Sequence, residues 1–81
     1  MTMCRENEVV VLRDTVSARI VSGGEIEVAE GATGTIVTIY GNPKNPLACE
    51  VEFFLADLGK FALATVDATQ LRGWGARCAK N

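Results

Sequence analysis

The chain contains three cysteines and no histidine, which limits the chemistry that its side chains can perform. Cys4, Cys49 and Cys78 form an odd set without a C-x-x-C pair, a pattern that does not favour a disulfide framework. Zinc sites of the Cys/His type and nucleophiles activated by histidine both need an imidazole, which the 81-residue sequence lacks. We therefore predict no metal site, no cofactor and no enzymatic activity, with the cysteines as free thiols.

Paired carboxylates and a glycine pair are the other arrangements with chemical potential. Glu50 and Glu52 alternate with apolar residues, which places both on the outer, wet face of a strand, where acid–base work is not favoured. Gly31 and Gly34 precede a β-branched run, whereas a phosphate-binding loop needs Gly-Lys-Ser/Thr entering a helix. The glycines therefore predict a hairpin turn with positive φ, and no phosphate site.

Composition and charge narrow the function classes further. Hydrophobic residues make up 48% of the chain, yet no apolar run approaches the roughly 20 residues of a membrane span. The net charge is −2 and the eight basic residues are dispersed, which does not favour nucleic acid as a partner. The N-terminal residues contain no apolar signal region. We expect a single cytoplasmic domain without membrane contact.

Short β-branched or alternating segments separated by turn residues dominate the chain. The β-branched run at 9–12 predicts a first strand, and 14–24 predicts a long excursion with partial strand character. Two prolines predict that the loop at 42–46 does not pair as a strand. The remaining expected elements are strands at 35–40, 49–53, 61–66 and 71–74, with a helical turn at 67–70 capped by Asp67.

The alternation of side chains between the two faces of each strand predicts one shared core. The strongest β formers on a common face of each strand are expected to be buried together. These residues are Val9, Val11, Val37, Ile39, Val51, Phe53, Leu63 and Leu71.

The elements predict an all-β fold: a small five-stranded SH3-like barrel with one short helical turn before the last strand. Residues 1–81 form one domain, with its core at 7–74 and a tail at 75–81. The run from Glu30 to Val37 resembles the glycine hairpin of KOW-type barrels. Together with 8–12, 49–53 and 66–71, it makes the chain similar to a bacterial family of stand-alone SH3-like barrels, itself a domain of unknown function. The excursion at 14–24 and the tail look longer than that family's compact form.

Aromatic and aliphatic residues outside the predicted core are candidates for a contact surface. Phe54 follows Phe53 directly, so period 2 sends it to the outer face beside Leu55 and Leu58, unless a bulge turns it inward. An exposed aromatic in such a place is typical of a partner or subunit contact. Tyr40 and Trp74 are the other candidates, although Trp74 also suits a lid over one end of the barrel.

These observations predict a non-catalytic binding or structural module that acts through protein–protein contacts and self-associates as a homo-oligomer. An unidentified protein partner is compatible with the same surface. Two alternatives stay open: a KOW-type nucleic-acid or ribosome-associated module, and an accessory or regulatory subunit of an enzyme. The fold class does not choose among them, because one fold hosts many functions.

Overall fold

The described part of the chain folds into one antiparallel sheet. The computed structural model describes residues 5–42 and 45–72. Within these residues six strands lie in the order β1-β4-β5-β6-β2-β3, and the sheet curls into a half-barrel. This confirms the all-β class. The strands are β1 (Val9–Val11), β2 (Val16–Ile20), β3 (Glu25–Val28), β4 (Thr33–Asn42), β5 (Asn45–Leu55) and β6 (Lys60–Val66).

The strand count differs from the expected five because the excursion at 14–24 and the segment after it contribute β2 and β3, while the expected last strand is present only as the isolated bridge between Leu71 and Leu12. The first half of the excursion forms β2, which pairs with β3 on one side and with β6 on the other. Alternate β2 residues, Val16 and Ala18, are buried. The weak local pattern of this segment therefore gains its strand character from pairing on both sides.

Strands β4 and β5 form a hairpin longer than the sequence predicts. The pairs Gly41↔Pro46 and Asn42↔Asn45 extend the ladder into the region expected to be an unpaired loop. The prediction that prolines prevent pairing there is wrong at Pro46. The register shifts between Tyr40 and Gly41, so an irregularity precedes the proline pair, as is usual where proline enters a sheet.

One cluster of buried residues fills the inner face of the half-barrel. Phe53 is 2% exposed and is the largest of its fully buried side chains, together with Leu12, Ile36, Leu71 and Val51. The core is apolar throughout, since no polar or charged residue among those described is buried. Its members are Val10, Leu12, Val16, Ala18, Val28, Ile36, Cys49, Val51, Phe53, Ala62, Ala64, Val66 and Leu71.

The predicted core is correct for Val51, Phe53 and Leu71, and Ile39 packs against the cluster. It is wrong in β1, where Val10 and Leu12 are buried. Val9 is 62% exposed, and Val11 is only half-buried. Residues 9–12 are all apolar, so the sequence does not show which alternate residues face the core. The pairing with β4 determines which of them face inward.

Two further corrections concern Val37 and Leu63, which are half-buried outside the core cluster. The β4–β5 register shifts between Ile36 and Thr38, so Val37 is the extra residue of an irregularity and the parity changes there. In β6 the inward residues are alanines at 62 and 64, because Ala62 lies opposite Phe53. A tightly curved interior that holds a phenylalanine has room only for small neighbours.

Gly34 shows the same crowding and corrects the glycine prediction. Gly31 has φ of 87° and makes the expected turn, whereas Gly34 is a buried strand residue. A Cβ at Gly34 would lie 2.5 Å from Val51 Cγ1 and 2.7 Å from Phe53 Cε1. Glycine is therefore required at 34 by close packing, and at 31 by backbone conformation.

The helical turn at the end of β6 is confirmed as a 3-10 turn, Ala68–Gln70. Asp67 caps it: the Thr69 amide donates to Asp67 Oδ1 at 2.9 Å, and the Asp67 amide donates to Gln70 Oε1 at 3.0 Å. This reciprocal pair is a capping box. The turn delivers Leu71 to a single bridge with Leu12. Residues 73 and 74 of the predicted last strand and the tail lie outside the described residues.

Candidate functional site

Phe54 lies on the outer face of β5, and its position settles the choice between exposure and a bulge. The register between β5 and β6 is regular from Cys49↔Val66 to Leu55↔Lys60. Phe54 is therefore turned away from the core and is 59% exposed, while the preceding Phe53 is 2% exposed. Regular alternation has left a large aromatic side chain in solvent.

A second aromatic residue accompanies it. Phe61 is directly opposite Phe54 in β6, and the two ring centroids are 5.1 Å apart with a tilt of 53°. That distance and tilt are within the range that aromatic pairs prefer. Phe61 is 45% exposed, so the pair forms a surface feature.

Val21, which follows β2, extends this apolar surface. The Val21 amide donates to the Phe61 carbonyl at 2.9 Å, and the valine side chain is 65% exposed. We name Phe54, Phe61 and Val21 the Phe54–Phe61 patch. Beside it lies an open groove of about 300 Å³, lined by Val21, Ser22, Glu52, Lys60 and Phe61. The groove therefore places one acidic and one basic side chain, Glu52 and Lys60, beside the apolar patch.

Leu55 and Leu58, which the sequence groups with Phe54, belong to a different surface. Leu55 packs against the core, and Leu58 is exposed in the turn after β5. With Ile26 of β3 they line a second open groove, of about 420 Å³. We name this feature, whose full lining is Ile26, Leu55, Ala56, Asp57 and Leu58, the β3 groove.

Tyr40 is remote from both grooves. It is exposed and pairs with Ala48, six residues before Phe54 along β5, which corresponds to about 20 Å of strand. Its exposed apolar neighbour on the hairpin is Leu47. The four predicted contact residues that the structure describes thus do not form one site, and the fifth, Trp74, lies outside the described residues.

Phe61 and Val21 are the exposed members of the patch that the sequence did not predict. The signal for Phe61 was present in the turn between β5 and β6. A connection at 56–59 makes Leu55 pair with Lys60 and therefore Phe54 with Phe61. No such local signal exists for Val21, because its position depends on the pairing of β2 with β6.

Of the three cysteines, Cys49 is the one that the structure describes, and it is buried. Burial, and then the nearby Glu50 carboxylate, raise the pKa of the Cys49 thiol to about 12. Since the thiolate is the nucleophile, a fully buried cysteine with such a pKa is inert at neutral pH. Glu50 is half-buried and its Oε1 accepts a hydrogen bond of 2.6 Å from the Thr65 hydroxyl.

No group of three or more Cys, Asp or Glu side chains at 5–42 and 45–72 is arranged to hold a metal ion. In the same residues, no helix has the length and hydropathy needed to cross a bilayer.

The site is therefore defined by exposed apolar surface on the outer face, with a separate groove beside β3. Comparison with family models, with curated proteins and with solved structures gives no match for this chain.

Proposed function

We propose that this protein is a non-catalytic interaction module that binds a second copy of itself through the Phe54–Phe61 patch. The observation that carries the proposal is the exposure of two phenylalanines in tilted contact on the regular β5–β6 ladder. Exposed aromatic rings are costly in water and are enriched at the centres of protein interfaces. The inert Cys49 thiol and the lack of histidine support a role without catalysis.

The charges around the patch favour a second copy as the partner. Glu52 and Lys60 line the same groove beside Phe61. In a two-fold dimer the same patch meets itself, so Glu52 of one protomer faces Lys60 of the other and the reverse contact is identical. A surface with one acid and one base flanking its apolar centre is thus complementary to itself.

We further propose that the fold is an SH3-like barrel with an inserted hairpin. The order β1-β4-β5-β6 is an antiparallel meander once β2 and β3 are set aside. A 3-10 turn then returns the chain from β6 to β1 through the Leu12↔Leu71 bridge. This succession is the one expected of such barrels, and the β2–β3 hairpin accounts for the additional strands.

Sedimentation velocity of wild-type protein and Phe54→Glu tests the proposed dimer. We expect wild type to be dimeric at about 100 μM, since specific interfaces hold in the micromolar range. Phe54→Glu should sediment as a monomer with unchanged β-type circular dichroism. Val9→Glu is the matched control, because Val9 is an exposed apolar residue of the same sheet outside the patch. A wild-type monomer at this concentration contradicts the proposal.

A charge-exchange experiment tests the two-fold arrangement itself. Glu52→Lys places two bases around the groove, and Lys60→Glu places two acids there, so each variant should repel its own copy. Mixed together, the two variants should form a heterodimer, because every contact between 52 and 60 is then of opposite charge. Equal homodimer formation by each variant alone would remove the charge argument and the two-fold geometry with it.

The KOW-type alternative makes a different prediction. A nucleic-acid module should bind RNA or DNA with saturation and with sequence dependence at physiological salt. The net charge of −2 favours no saturable binding tighter than about 10 μM, because phosphate neutralisation supplies most of the affinity of such proteins. A sub-micromolar, sequence-dependent isotherm with labelled RNA would replace the proposed function by this one.

A further inference from the structure

The two edges of the sheet are not equivalent. At the β1 edge, the Arg72 amide donates to the Val11 carbonyl at 3.0 Å and the Arg13 amide donates to the Gln70 carbonyl at 2.7 Å. The segment after the 3-10 turn therefore covers this edge at Val11, the C-terminal end of β1. The opposite edge is β3, and among the strands at 5–42 and 45–72 its only neighbour is β2.

Two β3 residues direct their backbone groups away from the sheet. The Ile20 amide donates to the Gly24 carbonyl at 2.8 Å, which fixes which pairs of the β2–β3 ladder exchange hydrogen bonds. Such pairs alternate along an antiparallel ladder. The backbone N–H and C=O of Ile26 therefore bond to β2, while those of Glu25 and Glu27 point away from β2, toward the open edge. Among the described residues, no hydrogen bond satisfies the outward amides and carbonyls of Glu25 and Glu27.

The β3 groove lies beside this open edge, on the inner side of the same strand. Ile26 lines it from β3, and Leu55 and Leu58 line it from the end of β5 and the following turn. Its volume of about 420 Å³ accommodates apolar side chains, and its lining is mostly apolar. A strand added to β3 would turn every second side chain toward this groove and the remaining ones toward the outer face.

The charged residues at the β3 edge indicate which side chains an added strand would carry on its outer face. Glu25 and Glu27 are exposed on the outer face of β3, and Asp57 is an exposed member of the groove lining. Arg19 lies opposite Glu25 in β2, but Ser17 lies opposite Glu27, so no described cation faces Glu27 across the ladder. A strand carrying lysine or arginine opposite Glu27 would provide the missing counter-charge.

We propose that the β3 edge binds an extended peptide segment in which apolar and basic residues alternate. The segment adds a strand to β3 through the amides and carbonyls of Glu25 and Glu27. Its apolar side chains enter the β3 groove and its basic side chains lie beside the two glutamates. This is recognition by strand addition, in which backbone bonds supply affinity and alternate side chains supply specificity. It concerns a surface separate from the Phe54–Phe61 patch.

Titration of ¹⁵N-labelled protein with an acetylated, amidated heptapeptide of alternating lysine and valine tests the proposal. We expect saturable shifts of the Glu25 and Glu27 amide resonances to lower field, with slower hydrogen exchange at both. Control peptides carry glutamate in place of lysine, or the same lysines and valines in two blocks. Neither control should bind. Equal binding of either control, or shifts confined to Phe54 and Phe61, would overturn the proposal.

Proline at position 27 isolates the backbone contribution. The Glu27 amide does not take part in the β2–β3 ladder, so Glu27→Pro removes an outward donor at an edge, where proline is tolerated. We expect about a tenfold loss of peptide affinity beyond that of Glu27→Thr, which removes the charge and keeps the amide. Equal affinities of the two variants would contradict strand addition.

A second variant keeps the test valid if Glu27→Pro fails to fold. Asp57→Lys changes an exposed turn residue and should weaken binding of the basic peptide at low salt, more than at high salt. The titration is repeated with Phe54→Glu, whose peptide affinity should equal that of wild type. A loss of peptide binding in Phe54→Glu would assign the peptide to the Phe54–Phe61 patch and overturn the inference, whatever the state of the proposed dimer.

Discussion

Phe53 and Phe54 are adjacent, chemically identical and placed in opposite environments. Phe53 fills the inner face of β5, where Ala62 is its small partner in β6, and it is 2% exposed. Phe54 pairs with Phe61 on the outer face and is 59% exposed. The comparison separates two environments of the same side chain: on the inner face it packs in the core, and on the outer face it adds exposed apolar surface.

The largest effect is expected from a charge on the inner face. Val51→Asp should abolish cooperative folding, because an unpaired buried carboxylate costs several kcal/mol against a total stability of about 5–15 kcal/mol. Thermal unfolding followed by circular dichroism measures it. Glu52→Asp, one residue along and on the outer face, is the control and should melt like wild type. A cooperative, wild-type-like transition for Val51→Asp would show that the inner-face assignment of β5 is wrong.

Truncation of each phenylalanine to alanine measures how much each side chain contributes to the free energy of unfolding. Phe53→Ala should reduce the free energy of unfolding by about 3–5 kcal/mol, since it leaves a cavity in a closely packed core. Phe54→Ala loses only a surface aromatic pair and should cost less than about 1.5 kcal/mol. Urea denaturation gives both values. If Phe53→Ala is too unstable to measure, Phe53→Leu replaces it and should still exceed Phe54→Ala.

An added methyl group on the inner face should cost less than a deleted ring. Gly34→Ala brings a Cβ to 2.5 Å from Val51 Cγ1, so neighbours must move. We expect a loss of about 1–3 kcal/mol, as for other overpacked cores. Combining it with Val51→Ala should cost less than the sum of the two single changes, because the smaller side chain relieves the clash. Additive costs in the double-mutant cycle would contradict this account of Gly34.

The smallest effect is expected at the exposed Asp67 cap, away from both faces of β5. The hydrogen bond from the Thr69 side chain, with the amides of Thr69 and Gln70, lowers the pKa of the Asp67 carboxyl. The unfolded chain therefore binds this proton more readily than the folded one. The stabilisation is fully present above the unfolded pKa, near 3.8, and is lost as the pH falls through the lower folded value.

Asp67→Asn tests this sign, because asparagine still caps the turn but carries no charge. We expect its melting temperature to lie a few degrees below that of wild type at neutral pH. The difference should narrow as the pH falls below about 4, because there the wild-type carboxyl becomes protonated in the unfolded chain before it does so in the folded one. A difference that widens on acidification would mean that the folded pKa is not lowered.

The two faces of β5 also show how far local pattern carries a prediction. Alternation from Cys49 to Phe53 gave the right inner face, because one polar residue stood between each apolar pair. The same reasoning failed in β1, where Val9 to Leu12 offer four apolar residues in succession. It failed again at Val37, because a register irregularity changes parity without leaving a mark in the sequence.

The candidate surfaces divide in the same way. The exposure of Phe54 followed from period 2, and its pairing with Phe61 follows from the length of the turn at 56–59. The β3 groove brings Leu55 and Leu58 next to Ile26, which lies far from them in the chain. The Phe54–Phe61 patch likewise brings Phe61 next to the distant Val21. Both contacts depend on the strand order, in which β2 pairs with β6 and β3 pairs with β2.

The amino-acid sequence by itself determined the all-β class, the inner face of β5, the turn at Gly31 and the Asp67 cap. Each of these depends on interactions within a few residues, which local composition encodes. Only the tertiary structure decided the six-stranded order, the parity of β1 and β6, the need for glycine at 34 and the open edge of β3. These depend on which strands pair and on how much room Phe53 leaves inside the half-barrel, and both are set by contacts between distant parts of the chain.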